Sequence, residues 1–124
     1  MAASRTTNST ISKSHARQGI TILTALSVAD PTNAIYSRNL AIYEEKLGDA
    51  FARSGADRNS LTAQRTRSWS DARGAYEKAG EIFSNLRDHG TLPPADASQP
   101  QKVALRTADC QRAIEQLAAA GNSR

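Results

Sequence analysis

Apolar residues recur along this chain at helical spacing in four segments, separated by short polar or proline-bearing stretches. The first segment runs from about Ser12 to Ala29, with Ile20, Leu23 and the pair Ile22 and Leu26 at three- and four-residue spacing. Asp30-Pro31 ends it, because proline disfavours helix in the residue before it. The second, from about Ala34 to Ser54, carries Tyr36, Leu40, Tyr43, Leu47 and Ala50 at steps of 4, 3, 4 and 3. Thr32 or Asn33 is placed to cap its start, and Gly55 to follow its last turn as the left-handed terminating residue. The third turns Trp69, Ala72, Tyr76, Ala79, Phe83 and Leu86 inward and closes at His89-Gly90. A rigid connection over residues 91–100 follows, and Pro100 suits the first turn of the last helix. That helix shows Val103, Thr107, Cys110, Ile114 and Leu117 at the same steps, and Gly121 ends it. No segment reads as a strand, so the expected fold class is all-α.

Between the second and third segments, residues 56–68 turn polar. They read either as a loop or as the opening of the third helix, capped by Ser60 or Ser68. Arg58, Arg65, Arg67 and Arg73, with Arg53 just before them, make this the most basic part of the molecule, a candidate basic patch. The balance over the whole chain is mild: 16 basic against 12 acidic side chains, a formal charge of +4. That is a solvated surface more than the footprint of a dedicated nucleic-acid binder. Gly74 and Gly80 fall inside the third segment, each costing ~1 kcal/mol relative to alanine in a helix. They imply either a tolerated cost or a close neighbour.

With 124 residues the chain suffices for one ordinary domain, burying roughly two thirds of its unfolded surface. Abundant alanine favours helix, since alanine loses no side-chain entropy on becoming helical. Cys110 is the only cysteine, which excludes an intrachain disulfide; on an apolar stripe it reads as a buried free thiol. No apolar run approaches the ~20 residues needed to cross a bilayer. Residues 1–11 lack the apolar region of a secretory signal and read as a disordered tail, residues 121–124 as a second, and a cytoplasmic setting follows by default.

Shifting the sequence by sixty residues lays Ala16, Gly19, Ile22 and Leu26 on Tyr76, Ala79, Ile82 and Leu86, small on small and apolar on apolar in three of the four pairs. The motifs make the echo specific. Leu47-Gly48 followed by Phe51 is similar to the first-helix signature of tetratricopeptide repeats, and Trp69, Ala72, Tyr76 and Ala79 resemble the second-helix signature. The text before the last helix, Arg87-Asp88-His89-Gly90-Thr91-Leu92, looks like the end of repeat regions attached to bacterial serine/threonine kinases. The likeness spans about Asp30 to Leu117. It implies a four-helix array of antiparallel helical hairpins with a C-terminal capping helix, and a non-enzymatic scaffold for protein partners. The chain departs from the pattern at Glu44, where a large aromatic is expected, and in the enlarged turn at 56–68. The first helix lacks a preceding partner, so self-association into an oligomer or closure into a bundle is the alternative architecture.

Kinase chemistry is absent from the sequence: there is no glycine-rich phosphate loop and no metal-binding Asp-Phe-Gly. His15 and His89 lack a ligand or triad partner at recognisable spacing, so no metal, cofactor or catalytic residue is assigned. The resemblance implies a concave groove lined by the first-helix residues off the core, here Ile42, Glu45, Asp49 and Arg53. Such grooves grip a partner's carboxylate with basic and asparagine side chains. Glu45 and Asp49 offer acids instead, which implies a basic or mixed-charge peptide or helix as guest. The arginine-rich stretch gives a further alternative, a nucleic-acid accessory role. Trp69 and the tyrosines count against it, because they lie on core stripes and not among the arginines as stacking platforms.

Overall fold

The computed structural model describes the backbone of residues 2–122 and the side chains of residues 10–121. Four helices follow one another: α1 (Ala2–Ala29), α2 (Ala34–Ala56), α3 (Thr62–Asp88) and α4 (Gln99–Asn122). One 3-10 turn, Pro94–Asp96, sits in the connection before α4. The described residues contain no strand, and the protein is all-α. Of the expected N-terminal tail, the backbone from Ala2 continues α1, and the side chains before Thr10 lie outside the described residues. Residues 123 and 124 of the C-terminal tail lie outside them as well.

Local chemistry sets the helix ends. Asn33 caps α2, its side-chain oxygen accepting from the amides of Ile35 at 3.0 Å and Tyr36 at 3.3 Å. After α3, Gly90 adopts φ +70°. The amide of Thr91 donates to Leu86 O at 2.8 Å and that of Gly90 to Arg87 O at 3.0 Å, the paired closure of a Schellman motif. The α2–α3 connection is shorter than the polar composition suggests. It occupies only residues 57–61, and residues 62–68 form the opening turns of α3. Asp57 organises it, accepting from the Asn59 amide at 3.0 Å and the Ser60 hydroxyl at 3.3 Å. Leu61 stands at the N-cap with no side-chain bond, so neither Ser60 nor Ser68 caps α3.

Gly55 does not terminate α2. The helix continues to Ala56 with Asp57 as its cap. Gly55 is instead a landing place for the Trp69 indole, and a Cβ there would stand 2.7 Å from the ring. Gly48 lies the same way under the Tyr76 ring, also at 2.7 Å, and Gly19 of α1 under Tyr43, at 2.6 Å. Helix ends leave donors and acceptors to be satisfied; here the glycine answers to packing and not to that need.

Helix α2 packs on α1 and on α3, and α3 packs on α4, while contacts between helices not adjacent in the chain are sparse. The continuous core joins Ala41 of α2, Ala72, Tyr76, Ala79 and Phe83 of α3, and Val103 and Cys110 of α4. The stripe read from Tyr36 to Ala50 is only one side of α2; its other buried line, Ala41, Glu44, Gly48 and Gly55, completes a helix enclosed on two sides.

Candidate functional site

The four expected groove residues share one side of α2, but the molecule already occupies part of it. Arg106 of α4 donates from Nη1 to Glu45 Oε2 at 2.5 Å and stands 3.6 Å from Asp49 Oδ1. The Tyr76 hydroxyl of α3 donates to the same Asp49 oxygen at 2.5 Å. The acidic pair is thus the seat of an internal clasp joining three helices, and its charge is met from within the chain. Burial pushes the Glu45 carboxyl above its usual range, and Arg106 pulls it back. Burial, then the bond to Asp49, raises the Tyr76 hydroxyl well above its ordinary value, which keeps it a neutral donor. Ile42 is half-buried and packs against the core, and Arg53 is exposed.

The opposite flank of this α2 face is basic. Lys46, Asp49 and Arg53 line a cleft of about 250 Å³ with Ser12, His15 and Ala16 of α1. The Lys46 ammonium lies 5.1 Å from the Tyr43 ring centroid, and the His15 ring sits 6.2 Å from Tyr43, tilted by 53°. Around the edge, Lys13 and Arg17 share the face of Phe51 at 4.9 and 5.4 Å. Lys13 also donates to the Ser54 hydroxyl at 2.8 Å. Burial, then repulsion from Arg17, lowers the Lys13 ammonium below its usual value, with Asp71 opposing. Among the described residues none of Lys13, Arg17, Lys46 or Arg53 forms an ion pair, whereas Arg38, Arg73, Arg87, Arg106 and Arg112 all do.

The candidate basic patch is divided by the fold. Arg65 reaches back with Nε to Gly55 O at 2.8 Å, closing the C-terminal end of α2. Arg73 bonds the Gln111 side-chain oxygen of α4 and stands 3.5 Å from Glu77. Arg58 and Arg67 are exposed. His89 uses Nδ1 on Asn85 O at 2.7 Å, a helix-end contact. Cys110 is buried, and burial pushes its thiol up to about 11, so the reactive thiolate is suppressed.

Two contributors escape a reading by single-helix stripes. Arg106 supplies the clasp, and Arg38 bonds the buried Asp96 of the 3-10 turn, tying the start of α2 to the connection before α4. Among the described residues no helix is long and apolar enough to cross a membrane. No family model matches the chain, and neither a curated protein nor a solved structure matches it.

Proposed function

We propose that this protein is a non-enzymatic interaction scaffold of the tetratricopeptide type, its helices stacked as antiparallel hairpins with α4 as the closing helix. The observation that carries this reading is the serial packing, each helix on its neighbours in the chain and little else. The registers support it. Gly55 meets Trp69 and Gly48 meets Tyr76, so α3 rises as α2 descends; Gly80 beside Val103 and Arg73 on Gln111 relate α3 to α4 in the same way. A series of this kind leaves one side of α2 and α4 as an extended surface, where a guest helix or peptide lies along α2.

Three groups that could serve catalysis are occupied with structure instead: Glu45 in the clasp, Asp49 under Tyr76, Cys110 in the core. A reduced, buried cysteine suits the cytoplasmic setting that belongs to this reading. A second reading, a small self-assembling helical protein, draws on Ile11, Ile22 and Leu26, exposed on α1. Light scattering that shows a monomer at high concentration removes it.

The scaffold reading is tested by amide chemical shifts during titration with basic, acidic and mixed-charge helical peptides. Saturable shifts that include the side of α2 bearing Ile42, Glu45, Lys46, Asp49 and Arg53 are expected for at least one of them. Shifts clustered on the far side of α3, or none with any peptide, sink the proposal.

A further inference from the structure

Among the described residues, helix α1 is covered on one side only. Ala16 and Leu23 are buried, while Ile11, Ile22 and Leu26 are 62, 61 and 38% exposed and His15 is exposed beside them. Residues 11, 15, 22 and 26 follow at steps of 4, 7 and 4, which returns each to the same side of a helix. Toward the His15 end this apolar strip is bordered by Lys46 and Arg53 of α2, which line the cleft with His15 and Asp49; the Asp49 carboxylate is taken by Tyr76 and Arg106, and Lys46 and Arg53 form no ion pair among the described residues. An apolar strip with an uncompensated cationic border is the complement of an amphipathic helix with an acidic flank.

The molecule carries its own template for such a contact. Helix α4 lies on α3 and reaches across with Arg106 to grip Glu45 and Asp49 on the neighbouring α2. Sixty residues earlier, α2 lies on α1 in the same relation. Lys46 then stands in the place of Arg106, and Tyr43 in that of Val103. In the later pair the acids come from α2; in the earlier pair the position that would supply them, beside α2 and over α1, is open.

We infer that the open side of α1, with Lys46 and Arg53 along its border, docks an acidic amphipathic helix of another protein. The inference rests on the scaffold reading and names the guest: its carboxylates meet Lys46 and Arg53 as Glu45 and Asp49 meet Arg106, and its apolar stripe covers Ile11, Ile22 and Leu26. A second copy of this chain is a poorer occupant. Meeting through this same face, it would bring Lys46 and Arg53 against their own counterparts, and like charges facing each other oppose association.

The test uses fluorescence anisotropy with a synthetic amphipathic peptide about five turns long. It carries leucine at helical spacing and glutamate on one flank; its controls are a scrambled peptide and a lysine-for-glutamate version. The glutamate peptide is expected to bind and both controls to fail. Combined Lys46→Glu and Arg53→Glu is expected to weaken binding at least ~10-fold, with the melting curve unchanged because both side chains border solvent. Ile22→Asp, also exposed, gives an independent loss. Undiminished binding by these folded variants overturns the inference. So does a single-stranded oligonucleotide that displaces the peptide and binds more tightly, or a dimer in solution that Ile22→Asp dissolves. If only the lysine peptide binds, shifting Glu45 and Asp49, the scaffold reading stands and this docking face falls. If no peptide binds, both fall.

Discussion

Helix α2 meets its two neighbours by the same device at very different depth. Toward α3, Gly48 and Gly55 admit the Tyr76 and Trp69 rings, and Tyr76 is 3% exposed, locked further by its bond to Asp49. Toward α1, Gly19 admits the Tyr43 ring just as closely, but Tyr43 is half-buried and borders solvent with His15 and Lys46. The continuous core runs through α2, α3 and α4 and leaves out Ala16 and Leu23, the buried residues of α1 among those described. The difference teaches that close approach of helices does not measure how firmly they are joined. What counts is whether the inserted ring can yield. The contiguous core belongs to α2, α3 and α4, and α1 packs on α2 outside it.

The largest test of that contrast is Phe83→Ala. Phe83 is fully buried at the meeting of α2, α3 and α4, so its removal is expected to cost ~3–5 kcal/mol and to lower one cooperative thermal transition. Next come paired glycine substitutions. Gly48→Ala puts a Cβ 2.7 Å from a ring that has no room to move, and ~1–2 kcal/mol of destabilisation is expected after the helix-propensity gain is counted. Gly19→Ala meets a ring at 2.6 Å that can swing outward, so its net effect should be close to zero, with faster amide exchange confined to α1. Gly74, with nothing within 4 Å of an added Cβ, is the control: Gly74→Ala should stabilise by ~0.5–1 kcal/mol. Equal losses from Gly48→Ala and Gly19→Ala in denaturant unfolding would abolish the distinction between the two junctions.

Much of the α2–α3–α4 core was legible in the sequence, because periodic apolar residues on α3 and α4 face that one core and their spacing reports it directly. The stripe of α2 was harder. Tyr36 to Ala50 stands out by size, while the second buried line is marked only by small residues and by Glu44, whose charge argues for solvent. The α2–α3 turn stayed open between loop and helix for a related reason. Arginine, threonine and serine at 62–68 are polar enough to suggest a loop, yet they are the exposed opening turns of a helix whose packing begins at Trp69. Gly55 showed its helix-ending propensity in the sequence, but not the indole that claims it. Of the groove, the side of α2 could be read from the stripe. That Glu45 and Asp49 are already held depends on Arg106, sixty-one residues after Glu45, and no local pattern carries that contact.

A smaller effect separates the clasp from the core it spans. Arg106 is 42% exposed and Glu45 14%, so Arg106→Ala is expected to cost only ~0.5–1 kcal/mol, and less at high salt, where exposed charges are screened. Ile42 and the core beneath should be undisturbed. A loss as large as that of Phe83→Ala, insensitive to salt, would mean that α4 is held by the clasp and not by Val103 and Cys110.

A slight stabilising effect is expected at Glu44, on the α3 side of α2. Glu44 is 6% exposed, and burial pushes its carboxyl above the usual range, with Lys78 opposing only in part. In the pH interval between its unfolded and folded values, the folded chain therefore holds the extra proton. Stability then falls as pH rises through that interval and levels off above it. Glu44→Gln removes the titration, so the variant should match the native protein in acid and melt slightly higher at neutral pH. The residual slope belongs to Glu45, which is shifted in the same direction. A variant less stable at neutral pH would show that the Lys78 attraction exceeds the burial penalty, and that the α2–α3 junction uses a charge where its glycine–ring contacts suggest none is needed.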